Sequence, residues 1–173
     1  MAVRTMNKDA LDQVFVLYAP ALYKYAYRLS RNAIMADQIV GDVFTKLLEH
    51  LSCGRGPAVN MRSYLFEIAY HLVVDEVRYS QRRAPLDSFD LTLSDGTSVS
   101  ISAENQILFE TVRRAIVNNL TPDQRHVIIL RFLEGFSVKE TATIVGKTIG
   151  NVKVIQNRAL AALRKALGYE GAT

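Results

Sequence analysis

Tryptophan is absent, and a single cysteine, Cys53, stands alone among 173 residues. With no second thiol there is no disulfide framework, so an apolar core has to hold the fold. Four prolines and nine glycines are too few for a collagen-like or low-complexity chain. Long apolar runs are missing as well, and none approaches the roughly 20 residues that a membrane-spanning helix needs. Residues 1–12 carry Arg4, Lys8, Asp9 and Asp12 with no apolar run behind them, which is not the pattern of a signal peptide. The expectation is a cytoplasmic protein with no membrane insertion. What is present is an ordinary globular mixture, 49% hydrophobic and 22% charged, enough for one medium domain or two small ones.

Charge is placed unevenly. Residues 1–83 hold 11 basic and 8 acidic side chains, residues 84–110 hold 5 acidic and no basic ones, and residues 111–173 hold 10 basic and 4 acidic. Two basic blocks thus flank an acidic bridge. Basic blocks favour polyanions such as nucleic acid, and the bridge would be repelled by the same partner.

Helical periodicity dominates both blocks. Leu11, Val14, Phe15, Tyr18, Leu22, Tyr25, Ala26 and Leu29 form one stripe at three- and four-residue steps, and Pro20 inside it predicts a kink or a break. A second stripe runs Ala36, Ile39, Val40, Val43, Phe44, Leu47, Leu48 and Leu51, and ends in a loop containing Gly54, Gly56 and Pro57. A third begins near Asn60 or Met61 and continues through Tyr64, Leu65, Ile68, Ala69, Leu72 and Val73 towards Arg78, Arg82 and Arg83. Residues 85–102 lose the period, and their turn-forming, polar composition favours a linker over a short hairpin around Asp95-Gly96.

Beyond the linker, helix ends are clearly punctuated. Thr121-Pro122 supplies a capping hydroxyl and a first-turn proline, Gly135 a left-handed stop, Ser137 to Glu140 a capping box, and Thr148 a cap for the last helix. A short helix, a turn at Gly146 and a long basic helix form a helix-turn-helix pattern. Ala142, Val145, Val152, Ile155, Ala159 and Leu163 can pack the pair together. The other face of the last helix shows Asn151, Lys153, Asn157 and Arg158, and no acidic residue occurs between Glu140 and Glu170. Such a face suits a major groove, where Arg, Lys and Asn pair with base edges and phosphates. The alternative is a solvated helix that happens to be basic. Arg78, Arg82 and Arg83 with Tyr64, Tyr70 and Tyr79 make a second candidate site, for single-stranded nucleic acid, although Tyr64 and Tyr70 also suit a core.

No catalytic set emerges. Cys53 and nearby His50 offer too few ligands for zinc, and no partner supports a thiol nucleophile. Glu67, Asp75 and Glu76 lie among Arg62 and Arg78 and read as surface charge. There is no glycine-rich phosphate loop, and the expectation is a protein that is not an enzyme, with no cofactor and no metal.

The residues resemble bacterial sigma factors of the extracytoplasmic-function (ECF) type, in the sigma-70 family. LDQVFVLYAPALYKYAYRLS (residues 11–30) and ADQIVGDVFTKLLEH (36–50) are similar to that family's regions 1.2 to 2.2, RSYLFEIAYHLVVDEVR (62–78) to regions 2.3 and 2.4, and residues 120–167 to region 4. The resemblance implies an all-α fold of two small helical domains, at residues 8–83 and 106–170, joined by a flexible acidic linker at 84–105. The second would be a helix-turn-helix domain. It further implies a factor that binds core RNA polymerase, reads promoter DNA at −10 and −35 elements, and is controlled by an anti-sigma factor. By the same resemblance, Asp37, Gln38, Asp42, Phe44 and Leu48 contact the polymerase. Asn60, Met61, Tyr64 and His71 capture a base flipped from the −10 element, and Arg78, Arg82 and Arg83 hold its backbone. Lys147, Thr148, Asn151, Lys153, Val154, Asn157 and Arg158 read the −35 element. The acidic linker resembles the segment that threads the polymerase's RNA path.

The chain departs from the family pattern in places. Gly41 replaces a common glutamine, Leu48 and Tyr64 replace tryptophans, His71 an asparagine, and Val154-Ile155-Gln156 a Ser-Arg-Leu-like run. The alternative reading is a stand-alone helix-turn-helix regulator with an N-terminal sensing or dimerisation domain. It leaves the second basic block and the acidic bridge without a role.

Overall fold

A computed structural model of the chain describes residues 8–57, 60–83 and 103–169, and every regular element among them is helical. The linker-or-hairpin stretch at 85–102 lies outside the described residues. An N-terminal lobe contains α1 (Lys8–Ser30), α2 (Ala33–Ser52) and α3 (Met61–Arg83). A C-terminal lobe contains α4 (Ala103–Asn119), α5 (Pro122–Ile128), a π-helical turn (Ile129–Leu133), α6 (Val138–Val145) and α7 (Ile149–Ala166).

In the first lobe, the apolar stripes meet where their periods predict. Leu22, Tyr25 and Ala26 of α1, Ile39, Val43 and Leu47 of α2, and Leu65, Ala69 and Val73 of α3 are buried together. Pro20 does not end α1, which runs through it as one helix. Both Pro20 and Val16, whose carbonyl loses its usual N–H partner at Pro20, are exposed, so water can satisfy that carbonyl. Asn32 caps α2, its Oδ1 accepting from Met35 N at 3.0 Å. Phe15 departs from the expected core stripe: it is 46% exposed, and its ring lies 4.8 Å from that of Phe44 at the rim of the lobe.

The punctuation of the second lobe appears as read. Thr121 and Gln124 form a reciprocal capping box, as do Ser137 and Glu140. Gly146 ends α6 at φ 64°, ψ 35°, a left-handed geometry that disfavours any Cβ. Thr148 caps α7, accepting from Asn151 N at 3.2 Å. The helix opened by Pro122 does not stay α-helical to its end. It widens into the π-turn before Gly135, and Arg131 braces that turn, donating from Nε to Gln156 Oε1 of α7 at 2.9 Å and from its terminal nitrogen to the Phe136 carbonyl.

The two lobes share a core. The cluster that begins with Leu22 and Tyr25 continues through Val127, Leu130, Phe136, Ala142, Val145 and Val152 of the second lobe. A smaller cluster of Ala115, Leu120, Ile128, Ala159 and Leu163 joins α4, α5 and α7. Helix α6 packs against α3, and α7 packs against α4, α5 and α6.

Candidate nucleic-acid interface

Three surfaces collect the residues singled out from the sequence. On α2, Asp37, Gln38, Asp42 and Leu48 are exposed, whereas Phe44 is buried. Phe44 therefore supports this surface from beneath, against Phe15, and does not present its ring with the others. Beside them, Phe15, Val16, Ala19, Pro20 and Tyr23 of α1 line an open apolar groove with Asp37 and Val40. Val16 and Leu17 are 74% and 67% exposed. This apolar edge of α1 was missed by periodicity, which sees apolar spacing and not the absence of a facing partner.

On α3, seven residues make almost two full turns, so Tyr64, His71 and Arg78 return to one face, with Asn60 and Arg82 close to the same line. Asn60, His71, Arg78 and Arg82 are exposed, and Met61 and Tyr64 are half-buried. The side chain of Arg83 lies outside the described residues. Asn60 caps α3, its Oδ1 accepting from Ser63 N at 2.7 Å. Tyr64 is held by a partner across the preceding loop: its hydroxyl lies 2.6 Å from His50 Nδ1. Burial, helped by Glu67, raises the Tyr64 phenol above its ordinary pKa, so the hydroxyl keeps its proton. Glu67 and Asp75 share this face, so it is not purely cationic. Tyr70 points elsewhere. It is buried, 4.8 Å from the His126 ring, which settles it as a core residue, while Tyr79 is exposed.

On α7, Asn151, Val154 and Arg158 succeed one another at three- and four-residue steps. They are exposed together with Lys153 and Asn157, and Val152, Ala159 and Leu163 are buried on the other side. Lys147 is tied back to Asp123 at 3.1 Å. The outward arc carries cations and amides and no carboxylate, and it sits on the second helix of a helix-turn-helix whose first helix is α6. Chemically, such an arc can reach phosphates and base edges. Cys53 is exposed and free, and no metal-binding group of side chains occurs among the described residues.

One cluster of polar residues escaped the sequence reading. Arg28, Arg62, His126 and Glu134 meet at the junction of the lobes. Glu134 accepts from Arg28 at 2.8 Å and lies 3.8 Å from Arg62. Burial raises the Glu134 carboxyl above its ordinary pKa, and Arg28, Arg62 and Lys24 pull it back in part. Their sequence separation hides them, since no local pattern links positions 72 to 106 residues apart.

Comparison with known proteins places these surfaces in context. Residues 14–83 match the model of sigma-70 region 2, and residues 116–165 match that of sigma-70 region 4. BldN of Streptomyces coelicolor, an ECF RNA polymerase sigma factor, is 30% identical over 92% of this chain, which spans only 61% of BldN's length. SigX of Bacillus subtilis, another ECF sigma factor, is 28% identical over 91% of this chain and 84% of its own. The sigma factor RpoE of Bartonella quintana, solved in complex with the anti-sigma factor NepR, superposes with a TM-score of 0.72 at 26% identity, covering 95% of this chain and all of RpoE's. The region 2 match contains the α2 and α3 surfaces, and the region 4 match contains all of α7 up to Lys165.

Proposed function

The chain belongs to the ECF sigma factors of the sigma-70 family, and on that premise we propose that it binds core RNA polymerase and directs it to promoters with −10 and −35 elements. The observation that carries this reading is the free, carboxylate-less arc of α7 in a chain that also matches region 2. A stand-alone regulator needs the first but not the second. In this reading residues 8–83 form the unit for polymerase and the −10 element, 106–170 the unit for the −35 element, and 84–105 the connection.

Asp37, Gln38, Asp42 and Leu48 contact the polymerase, with Phe44 shaping the surface from below. The exposed edge of Phe15, Val16 and Leu17 extends it, because an apolar strip rimmed by carboxylates suits an amphipathic helix with basic flanks. Asn60, Met61, Tyr64 and His71 receive an extruded −10 base, whose unstacking costs a few kcal/mol that pocket and backbone contacts must offset. Arg78, Arg82 and Arg83 follow the strand's phosphates. Lys147, Thr148, Asn151, Lys153, Val154, Asn157 and Arg158 read the −35 duplex.

The protein works as a specificity subunit in the cytoplasm and not as an enzyme, and it needs no cofactor. No helix among the described residues is long and apolar enough to cross a membrane. Control by an anti-sigma factor follows from the likeness to RpoE, which was solved with one.

Run-off transcription with core polymerase and a promoter library tests the reading. The chain should co-elute with core polymerase and produce transcripts from a subset of promoters. Duplex binding with no polymerase association would identify a stand-alone regulator instead.

A further inference from the structure

Val154 is 45% exposed, in the middle of an arc otherwise made of Asn151, Lys153, Asn157 and Arg158. At about 100° per residue, it stands within about 40° of the point opposite each of the buried Val152, Ala159 and Leu163. It therefore occupies the outermost line of α7, the line that faces whatever the helix docks against. Gly150 and Ala161 share that line and are exposed and short, so neither holds the helix away from a surface at Val154. The polar side chains stand to either side, Lys153 and Asn157 on one flank and Asn151 and Arg158 on the other. Ile149, equally exposed at 45%, lies about 140° round the helix from Val154, at the edge of the arc.

A valine in this place brings the isolated chain little. It lies largely in water, and its β-branch lowers helix propensity relative to an unbranched side chain. It makes no hydrogen bond, so it cannot read the donor and acceptor pattern of a base edge. What it offers is two methyl groups held almost entirely in one rotamer, which can pack with little loss of side-chain entropy. In the major groove the base edges present one apolar group, the C5-methyl of thymine. The flanking Asn, Lys and Arg side chains supply the phosphate and polar contacts that hold the helix at that depth.

We propose that Val154 is the thymine-selecting residue of α7, its methyl groups packing on the C5-methyl of one thymine in the −35 duplex. This rests on the promoter reading above and adds to it the identity of a base. The register follows from the helix. Arg158 lies four residues beyond Val154, about 6 Å along the axis, which corresponds to about two base pairs at 3.4 Å each. The selected thymine therefore lies within about two base pairs of the position at which Arg158 contacts the duplex.

The test exchanges thymine for uracil, which keeps the hydrogen-bonding groups and removes only the methyl. The full chain, with core polymerase and separately without it, selects duplexes from a pool randomised across the −35 region. The selected duplex is then resynthesised with uracil at one thymine at a time. Binding of the parent should fall about fourfold at one position, the counterpart of returning one methyl-sized group to water, and should hold at the others. Val154→Ala should bind the thymine and uracil duplexes equally at that position, because the facing methyl groups are gone, whereas Val154→Ile should keep the penalty. Lys153→Ala should weaken both duplexes alike and leave the penalty intact. Val154 is exposed, so these substitutions leave the core untouched.

A selected site without thymine, a parent indifferent to uracil at every position, or a penalty undiminished in Val154→Ala overturns the assignment. The promoter reading fails separately. If duplexes are retained only without polymerase, that reading falls, while the uracil exchange on those duplexes still decides Val154. If no duplex is retained in either form, both fall.

Discussion

Arg158 lies on the outward arc of α7, one turn beyond Val154 and clear of the buried Val152 and Ala159. If it pairs with a base edge, Arg158→Ala should weaken binding to a −35 duplex by about 1–3 kcal/mol and relax preference at one position, whereas a phosphate contact would lower affinity uniformly across sequences. Equilibrium binding to a set of single-base variants checks this, and unchanged affinity removes Arg158 from the interface. The arc itself was readable from the sequence, because helical spacing alone decides which side chains share a face. The support beneath Tyr64 was not. His50 lies 14 residues away across a loop, and nothing in the spacing shows that the two rings meet.

Among the elements, α2 carries an unusual glycine. Gly41 sits in mid-helix on the exposed side, and a Cβ built there meets nothing within 4 Å. Gly41→Ala should therefore raise stability by about 0.5–1 kcal/mol, by reducing the freedom of the unfolded chain at no steric cost. Urea unfolding followed by circular dichroism measures it, and a loss of stability would mean that the helix needs flexibility at that point. Helix α1 shows the limit of element-level reading. Pro20 predicts an interruption, yet the helix continues, because packing of Leu22, Tyr25 and Ala26 into the core outweighs one missing hydrogen bond on the wet side. The π-turn had no sequence signal at all. It depends on the burial of Ile129 and Leu130 and on the bracing of Arg131 against α7.

For the whole molecule, acid should act through His126. Burial lowers its pKa to about 4, with Asp123 opposing and Arg125 adding to the shift. The Tyr25 hydroxyl from α1 and the Tyr70 ring from α3 face it. An unfolded histidine takes up its proton near pH 6.5, and the folded one only near pH 4. Its contribution is therefore fully present above pH 6.5 and is lost as pH falls to about 4, by about 3 kcal/mol in all. Glu134 works in the opposite sense, since a carboxyl raised by burial is relieved by acid. The difference between the parent and His126→Gln isolates the histidine, because glutamine can keep the bond to Tyr25 without titrating. Denaturant unfolding at pH steps from 7.5 to 4.5 should show the parent losing stability relative to the variant, and parallel curves would remove His126 as the acid-sensitive group.

Helix positions, caps, the helix-turn-helix and the basic arc could all be read from the chain, because each depends on residues within a few positions of one another. A capping box closes over three residues, and an amphipathic face repeats every three or four. The acidic stretch between two basic blocks led naturally to a picture of separate units. Only the folded molecule joins them, through Tyr25 with His126, Arg28 with Glu134 and Arg62 with Glu134, at separations of 101, 106 and 72 residues. Contacts at that distance depend on how whole lobes are oriented when their cores merge, and no local period or cap records that orientation.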